Sequence, residues 1–585
     1  MKKSIQISAI ILIQFFFCTT IQAQQSEGKK DVIFRALQDE LTRTVTELNH
    51  PEAGKPFFVG FYFTEGEYRN STATLGAVTS SFSRKIAASS FRLMFGSYEM
   101  NDENFQETPN TEMVFPINIA APIDCDYWGI RRSLWNQADH SYKSASKNYM
   151  TKKAYFAKNP SLKPGFPDYI KQEPVVLELP EKTNLPSLSQ SDSLTRALSD
   201  HFKEYEGISS SHVSFSLLNC NLYLFNTEGT KFRIPFCFAA VDISATITNG
   251  GGEKLSESLS LISMEPNDLI HDNTITSKMN SLAEYLIAVV KSPKLEEEYN
   301  GPVLYTGNTS VPNIMEALFS GKDELAAGRE DVANTPAYRK TQTQNNNNTE
   351  SKIGKRFMPE AFSVTMKPRL DSYNGIKLFG KTDVDYEGTI PPAEIKLVEN
   401  GILRDLIRTR VPSSKAAISS NGHNRPTITQ SGIYSRLSPG VVFFASSESK
   451  PSDDLKKDLI ASARSKGLDF ALIVRPVVKN TDQSPSAFYM VSVADGSETL
   501  LRPVSITSGG GKMINHIAGC SNKDLVNNSM GSENSGVNYP PGYITGSVLG
   551  TPTSMILPDV ILFSEMTAEA LDTNVDKSLL PQNDE

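Results

Sequence analysis

Two long runs of apolar, β-branched and aromatic residues, from Val213 to Phe225 and from Phe232 to Ile247, flank the turn-forming stretch Asn226-Thr227-Glu228-Gly229-Thr230. Such runs on either side of a short polar segment read as a β-hairpin, so the chain must build at least one antiparallel sheet. With the turn centred between Glu228 and Gly229, Cys220 and Cys237 stand equally far from the centre and would lie opposite each other, within bridging reach. A single bulge would break that register and leave two buried thiols instead.

Elsewhere the pattern is mixed. Leu37, Leu41, Val45 and Leu48 recur at helical spacing, as do Leu282, Leu286, Val289 and Val290. Leu455, Leu459, Ile460 and Ala463 mark a third helix that should stop at Gly467. Strand-like runs occur at Phe57 to Phe63, Phe470 to Val478 and Phe488 to Val493. Clustered strands with isolated helices predict α+β architecture rather than a regular βαβ alternation. At 585 residues the chain has room for several cores. A boundary is expected at 334–351, where Gln342 to Asn348 offer nothing apolar to bury. The expected division is therefore a first domain over 24–333, a polar linker over 334–351 and a second domain over 352–585.

Lys2 and Lys3, the apolar run from Ala9 to Phe17 and the small residue Ala23 have the layout of a secretory signal peptide over residues 1–23. A lipoprotein anchor at Cys18 is the competing reading, with Phe16 and Phe17 standing where small residues belong. No later stretch is long and apolar enough for a transmembrane helix, so no integral membrane segment is expected. Cleavage would remove two basic residues and leave 56 against 66 acidic ones, a formal charge of −10. That balance speaks against nucleic acid as a partner. Export would place Cys125, Cys220, Cys237 and Cys520 where disulfides persist.

Several motifs fail. Gly509-Gly510-Gly511-Lys512 lacks the earlier glycine of a phosphate loop and carries Met513 where a hydroxyl is needed. Asn249-Gly250-Gly251-Gly252 reads as a turn. Gly-x-Ser-x-Gly, Cys-x-x-Cys and His-Glu-x-x-His are all absent, and His201 and His212 are too far apart to share one helix turn. With seven histidines in the whole chain, a histidine-rich metal site is hard to build.

A resemblance is present. Gly380-Lys-Thr-Asp-Val-Asp385-Tyr-Glu387-Gly388-Thr-Ile-Pro391, then Leu397-Val-Glu399-Asn-Gly401-Ile-Leu403, then Ser420-Asn421-Gly422-His423-Asn-Arg425 is similar to the C-terminal signature of the TldD/PmbA family, also called modulator of DNA gyrase. Leu37 to Leu41, Gly129 to Trp135 and Tyr142-Lys143 resemble the N-terminal half of its exported branch. The resemblance implies two α+β halves with mixed or antiparallel sheets and a cleft between them.

It also implies zinc metallopeptidase chemistry on peptides, with a helical His-Glu-x-x-x-His motif plus a distant cysteine. Imidazoles four or five residues apart reach one cation from one helical face, and the adjacent carboxylate acts as general base on the zinc-bound water. The equivalent place here is Asn313-Ile314-Met315-Glu316-Ala317-Leu318-Phe319-Ser320-Gly321, a helix expected at about 311–321. By the resemblance Met315 and Ser320 occupy the two histidine positions, and Cys520 is displaced from the cysteine position. A thioether and a hydroxyl cannot replace two imidazoles on Zn²⁺. Met315 and Phe319, i and i+4, are expected to pack together and fill the metal's place. Glu316 is then either a carboxylate left over from the ancestral general base or a base with a new role.

Asp385, Glu387, Glu399, Asn421, Gly422, His423 and Arg425 are the remaining binding candidates, because the resembled stretches lie near the family's peptide cleft. His423 and Arg425 could meet an acidic group or a peptide C-terminus. Asp139-His140 reads as surface.

Two functions follow as expectations. In the first, the chain is an exported, catalytically impaired protein without zinc or another cofactor. It would bind peptide or unfolded polypeptide as a homodimer, or as a heterodimer with a TldD-like paralogue, in the periplasm or outside the cell. In the second, it is an active metallopeptidase with a remodelled site using Glu316. The gyrase role in the family's other name would need access to the cytoplasm, which a signal peptide opposes.

Overall fold

The computed structural model describes residue 28 and residues 30–106, 119–249, 252–319, 325–327, 332–333, 348–413, 419–479, 481–508, 513–531 and 544–571. The leader over 1–23 with Cys18, residues 334–347 of the polar stretch, Ser320, Gly321, residues 250–251 and residues 509–512 lie outside them.

The hairpin forms. Strands Ile208–Asn226 and Lys231–Thr248 pair antiparallel. In the turn, Asn226 Oδ1 accepts the N–H groups of Glu228 at 3.0 Å and Thr230 at 3.1 Å, and Gly229 sits at φ +95°, a conformation that favours glycine. The register differs from the symmetric one: Cys220 faces Phe236, and Cys237 faces Asn219. The pairing is centred on Glu228 itself, and that half-position shift puts the two thiols on opposite faces of the sheet. Cys220 packs with Leu218 and Phe232 on one face, and Cys237 with Leu217 and Met279 on the other. The two do not bridge, and all four described cysteines are buried.

This hairpin is the middle of a seven-stranded sheet. Phe58–Thr74 pairs with Ile208–Asn226 and continues to Ala77–Met94 and Ile119–Ala120, while Val176–Glu178 and Lys254–Ser263 both join Lys231–Thr248. The helix over 30–47 and helix Tyr127–Lys158 cover the sheet around Phe61 and Phe91, using Leu37, Leu41, Ile130 and Leu134. Helix Ile275–Val289 covers another part with Leu282, Leu286 and Val289, the residues whose spacing announced it.

Two further sheets form the second half. One runs Ile402–Leu403, Ile395–Glu399, Phe362–Met366, Val441–Ser446, Thr551–Pro558, Asp524–Gly531. The other runs Glu498–Leu501, Ser486–Ser492, Phe470–Pro476, Tyr299–Thr306, Val560–Ala570, Val504–Thr507, with Ile517–Cys520 also on Val560–Ala570. Helix Ser452–Ser465 buries Leu455, Leu459 and Ala463, and Gly467 beyond its end adopts φ +71°, which stops it. Tyr299–Thr306 lies in the sequence before the polar stretch. It is nevertheless an inner strand here, parallel to Phe470–Pro476 and antiparallel to Val560–Ala570. Its Val303 and Tyr305 face Val364, Leu397 and Phe444 of the other sheet across one core. The first sheet packs on this half through Tyr62, Leu218 and Phe238 against Phe379, Tyr386 and Ile428. The result is the mixed α+β architecture expected from the sequence. Among the described residues, no helix is long and apolar enough to cross a membrane.

Candidate functional site

The inner strand Tyr299–Thr306 delivers the chain into the helix Val311–Phe319, the place equivalent to the family's zinc motif by resemblance. A left-handed Gly307 (φ +61°) makes the corner, and a Cβ there would lie 2.9 Å from the Pro476 ring. Its N–H donates to the Asp559 carbonyl at 2.7 Å, and Thr309 Oγ1 donates to the Thr306 carbonyl at 2.8 Å. Val311, Ile314 and Leu318, at i, i+3 and i+7, point into the core between the two sheets and are nearly or fully buried. Burial of three such side chains contributes roughly 1.5–3 kcal/mol each and holds the helix in place.

The opposite side of the helix, with Pro312, Met315, Glu316 and Phe319, lines a cavity of about 640 Å³. Its other walls come from Arg436 to Pro439, the loop Asp482 to Ser484 with Ser486, the edge-strand residues Asn527 and Ser529 to Gly531, and Thr551 and Thr553. Met315 and Phe319 are partly buried against the core and form part of the wall, so they do not fill the space. Glu316 is exposed. The lining alternates thioether, phenyl and proline surfaces with hydroxyl and amide groups, a mixture that suits a ligand with both apolar side chains and hydrogen-bonding backbone.

Asp482 is a wall residue that the sequence did not single out. Its Oδ2 accepts the N–H of Ile262 on the outermost strand of the first sheet at 2.7 Å, and burial pushes its carboxyl up to about 6. Next to it, Gln483 exchanges backbone hydrogen bonds with Ser260. Asn308 and Asn527 donate to the Asp482 carbonyl at 3.4 and 3.1 Å. This loop therefore joins the cavity to the first half, a juxtaposition with no local signature in Thr481-Asp482-Gln483.

The other candidates gather elsewhere, and none of them lines this cavity. Asp385 organises a turn: its Oδ1 accepts the N–H groups of Glu387 at 2.9 Å and Thr389 at 2.8 Å, and its Oδ2 accepts that of Asn424 at 3.2 Å. Burial, then the neighbouring Glu387, raises its carboxyl above the usual range. Glu387 is 4% exposed and accepts from Arg92 Nη1 at 2.7 Å and from the Arg410 N–H at 3.0 Å, which ties the turn to the first sheet. Asn421 bridges the Arg408 N–H and the Leu406 carbonyl, and its Oδ1 also meets His423 Nδ1 at 3.0 Å. Gly422 has φ +76°, and a Cβ there would come 2.9 Å from the Pro391 backbone.

His423 is fully buried, and its Nε2 has no partner among the described residues. Burial and the nearby Arg425 push its imidazole down to about 3, so it is neutral at physiological pH. Glu399 is half-buried and pairs with Lys396 at 2.6 Å and Arg404 at 3.4 Å, apart from the cavity. Arg425 lines a second, smaller cavity. Asp139 pairs with Lys143 at 2.7 Å on the exposed helix surface, as expected for the Asp139-His140 segment.

Residues 333–569 match the family model of the PmbA/TldA metallopeptidase C-terminal domain. Residues 333–569 form a TldD/PmbA-type C-terminal domain. Solved TldD/PmbA-like structures extend the fold likeness over most of the chain. A Thermotoga maritima protein described as a DNA gyrase modulator is 12% identical, with a TM-score of 0.53, covering 88% of this chain and 96% of its own. TldE from Thermococcus kodakarensis is 10% identical, TM-score 0.51, covering 88% and 97%. A Bacteroides thetaiotaomicron protein also described as a modulator of DNA gyrase is 11% identical, TM-score 0.52, covering 93% and 99%. At these identities the likeness is one of fold. No curated protein matches the sequence.

The residues present do not fit the zinc ion of the active TldD/PmbA relatives. Met315 offers a thioether beside Glu316 on the cavity wall. Cys520 lies 1% exposed on the strand Ile517–Cys520, its Sγ donating to the Glu448 carbonyl at 3.6 Å, and it does not line the cavity. Burial raises this thiol above its usual range, against the thiolate a metal requires. Among the described residues, no three His, Cys, Asp or Glu side chains are placed to hold a metal.

Proposed function

We propose that the chain is an exported TldD/PmbA-family protein that binds peptide or unfolded polypeptide in the cavity beside the Val311–Phe319 helix, without zinc and without efficient hydrolysis. It would act as a partner subunit of a peptidase complex, as a homodimer or beside a TldD-like paralogue. The observation that carries this reading is the position of Met315. It occupies the first ligand place on the wall of a cavity that is still open, about 640 Å³ in volume, so the fold keeps room for a ligand while the ligand set for the metal is gone. Glu316 retains its carboxylate at the wall but has no imidazole beside it in the helix. A carboxylate alone polarises no carbonyl and lowers no water pKa as a metal does.

The apolar wall residues Met315, Phe319 and Met530 are suited to side chains of a bound peptide. Ser438, Asn527 and Ser529 are suited to its backbone. The signal-peptide reading of residues 1–23 supports a location outside the cytoplasm and opposes a role on gyrase. Residues 299–319 precede the polar stretch yet are built into the second half, and the Asp482 loop links the cavity there to the first half.

Metal analysis of the purified mature protein, combined with binding and cleavage of a fluorescein-labelled unfolded peptide, tests this. Peptide binding at less than 0.1 equivalent of zinc, with no cleavage, is the expected result. Stoichiometric zinc with cleavage abolished by Glu316→Gln would instead establish the alternative, an active metallopeptidase with a remodelled site. Fractionation of the cells and light scattering of the purified protein check location and assembly.

A further inference from the structure

Arg425 is a buried cation without a carboxylate partner among the described residues. It is 3% exposed, and its guanidinium is held by neutral acceptors only: Nε donates to Thr382 Oγ1 at 3.1 Å, and Nη1 to the carbonyls of Pro439 and Pro552, both at 2.5 Å. Among the described residues no carboxylate pairs with it, and Nη2 donates to no acceptor. Burial, with no ionised partner offsetting it, pulls its pKa down to about 9. A buried cation of this kind costs several kcal/mol in desolvation unless a counter-charge reaches it.

Arg425 lines a cavity of about 270 Å³ between the first sheet and the loop 378–384. The floor is aromatic: Phe236 stacks edge-on against Phe238 at 5.2 Å, and Phe238 against Phe379 at 5.6 Å. Three lysines also line it, but each already has a carboxylate. Lys182 and Lys377 pair with Glu265, and Lys381 pairs with Asp371 and Asp383 at 3.3 Å each. Three lysines against three carboxylates leave Arg425 as the one uncompensated charge among the described residues of the lining. Among the described residues, none lines both this cavity and the larger one. Thr551 and Thr553 face the larger cavity while Pro552 between them faces this one, as the alternation of a strand requires.

We propose that this second cavity binds a small monocarboxylate with an apolar or aromatic body, its carboxylate ion-paired with Arg425 and its body against Phe236, Phe238 and Phe379. The volume corresponds to about nine waters, enough for one such molecule and too little for a folded segment. A dianion such as phosphate would overshoot the single free positive charge and would have to be desolvated against an aromatic floor. The same carboxylate could be that of a free acid or the C-terminus of a peptide. This inference does not depend on what the larger cavity binds.

The test is titration calorimetry of the mature chain with 3-phenylpropionate, its neutral amide 3-phenylpropanamide, inorganic phosphate, and acetyl-Ala-Phe as the free acid or the C-terminal amide. The expected result is binding of 3-phenylpropionate at least tenfold tighter than the amide or phosphate, lost in Arg425→Gln. Because Arg425 also holds two carbonyls, Arg425→Gln can fail to fold. Met264→Trp, which fills the cavity from its partly buried side, provides an independent variant and should weaken the acid at least tenfold with unchanged circular dichroism. Tighter binding of acetyl-Ala-Phe acid than of its amide would identify a peptide terminus as the source, and binding of 3-phenylpropionate alone would identify a free acid; both support the site. Equal binding of acid and amide, preference for phosphate, or undiminished binding by Met264→Trp would overturn it.

Discussion

The buried charges around Glu387 make a sharp prediction about how the two halves are joined. Arg92, on the first sheet, is held bidentately by Glu103 at 2.8 and 2.6 Å and reaches Glu387 at 2.7 Å. Arg410 pairs with Glu228 of the hairpin turn at 2.6 Å and donates twice to the Ile170 carbonyl. Tyr169 lies between the two guanidiniums, 4.4 Å from one and 4.2 Å from the other. Replacing Glu387 by Gln leaves both arginines with a carboxylate partner. The expected cost is therefore that of one charge-assisted hydrogen bond, about 1.5–3 kcal/mol.

Arg410→Met is a different case, since it strands the 3%-exposed Glu228 carboxylate, and its expected cost is about 3–5 kcal/mol. Urea unfolding followed by far-ultraviolet circular dichroism and by tryptophan fluorescence measures both. Trp128 and Trp135 are the only tryptophans and sit on the same helix of the first half, so fluorescence reports that half alone. Glu399→Gln, which breaks only a surface ion pair, is the control. If Glu387→Gln shifts the midpoint no more than the control does, or if Arg410→Met is the milder of the two variants, the assignment of this network as the clamp between the halves is refuted.

Other outcomes follow from single positions. Gly422→Ala should lose about 1–3 kcal/mol in the same urea assay, because the left-handed backbone and the Pro391 contact both resist a Cβ. His423, with its folded pKa pushed down to about 3, stays neutral while the unfolded chain takes up a proton below about 6.5. The contribution of His423 should therefore fall by about 1.4 kcal/mol per pH unit from pH 6.5 downward, read as the difference between the wild type and His423→Gln in a pH series of urea melts, since the raised carboxyls of Asp385 and Asp482 act with the opposite sign in both proteins. The opposed faces of Cys220 and Cys237 predict that thiol titration of the unfolded mature protein finds the same count with and without prior reduction. Ile314→Ala, which empties a fully buried position under the cavity helix, should cost about 2–5 kcal/mol and weaken peptide binding measurably by fluorescence anisotropy.

Much of this protein was determined locally. The hairpin strands, the helices of Leu282 and Leu455 and the stop at Gly467 follow from periodicity and turn chemistry within a few residues, and the structure has them. The placement of Met315 on the exposed side of a helix whose Ile314 and Leu318 are buried follows from the same 3.6-residue period. Tertiary structure alone decided the rest. A half-position in the hairpin register separated Cys220 from Cys237, and periodicity is blind to that. Glu387 found Arg92 across 295 residues, and Asp482 found Ile262 across 220, because sheet packing brings together segments that share no local pattern. Arg425 reads in sequence as one more polar residue of the Asn421-Gly422-His423 loop. Only the closure of Pro439, Pro552 and an aromatic floor around it made it a buried charge still open to a counter-ion, since desolvation is a property of everything that surrounds a group in space.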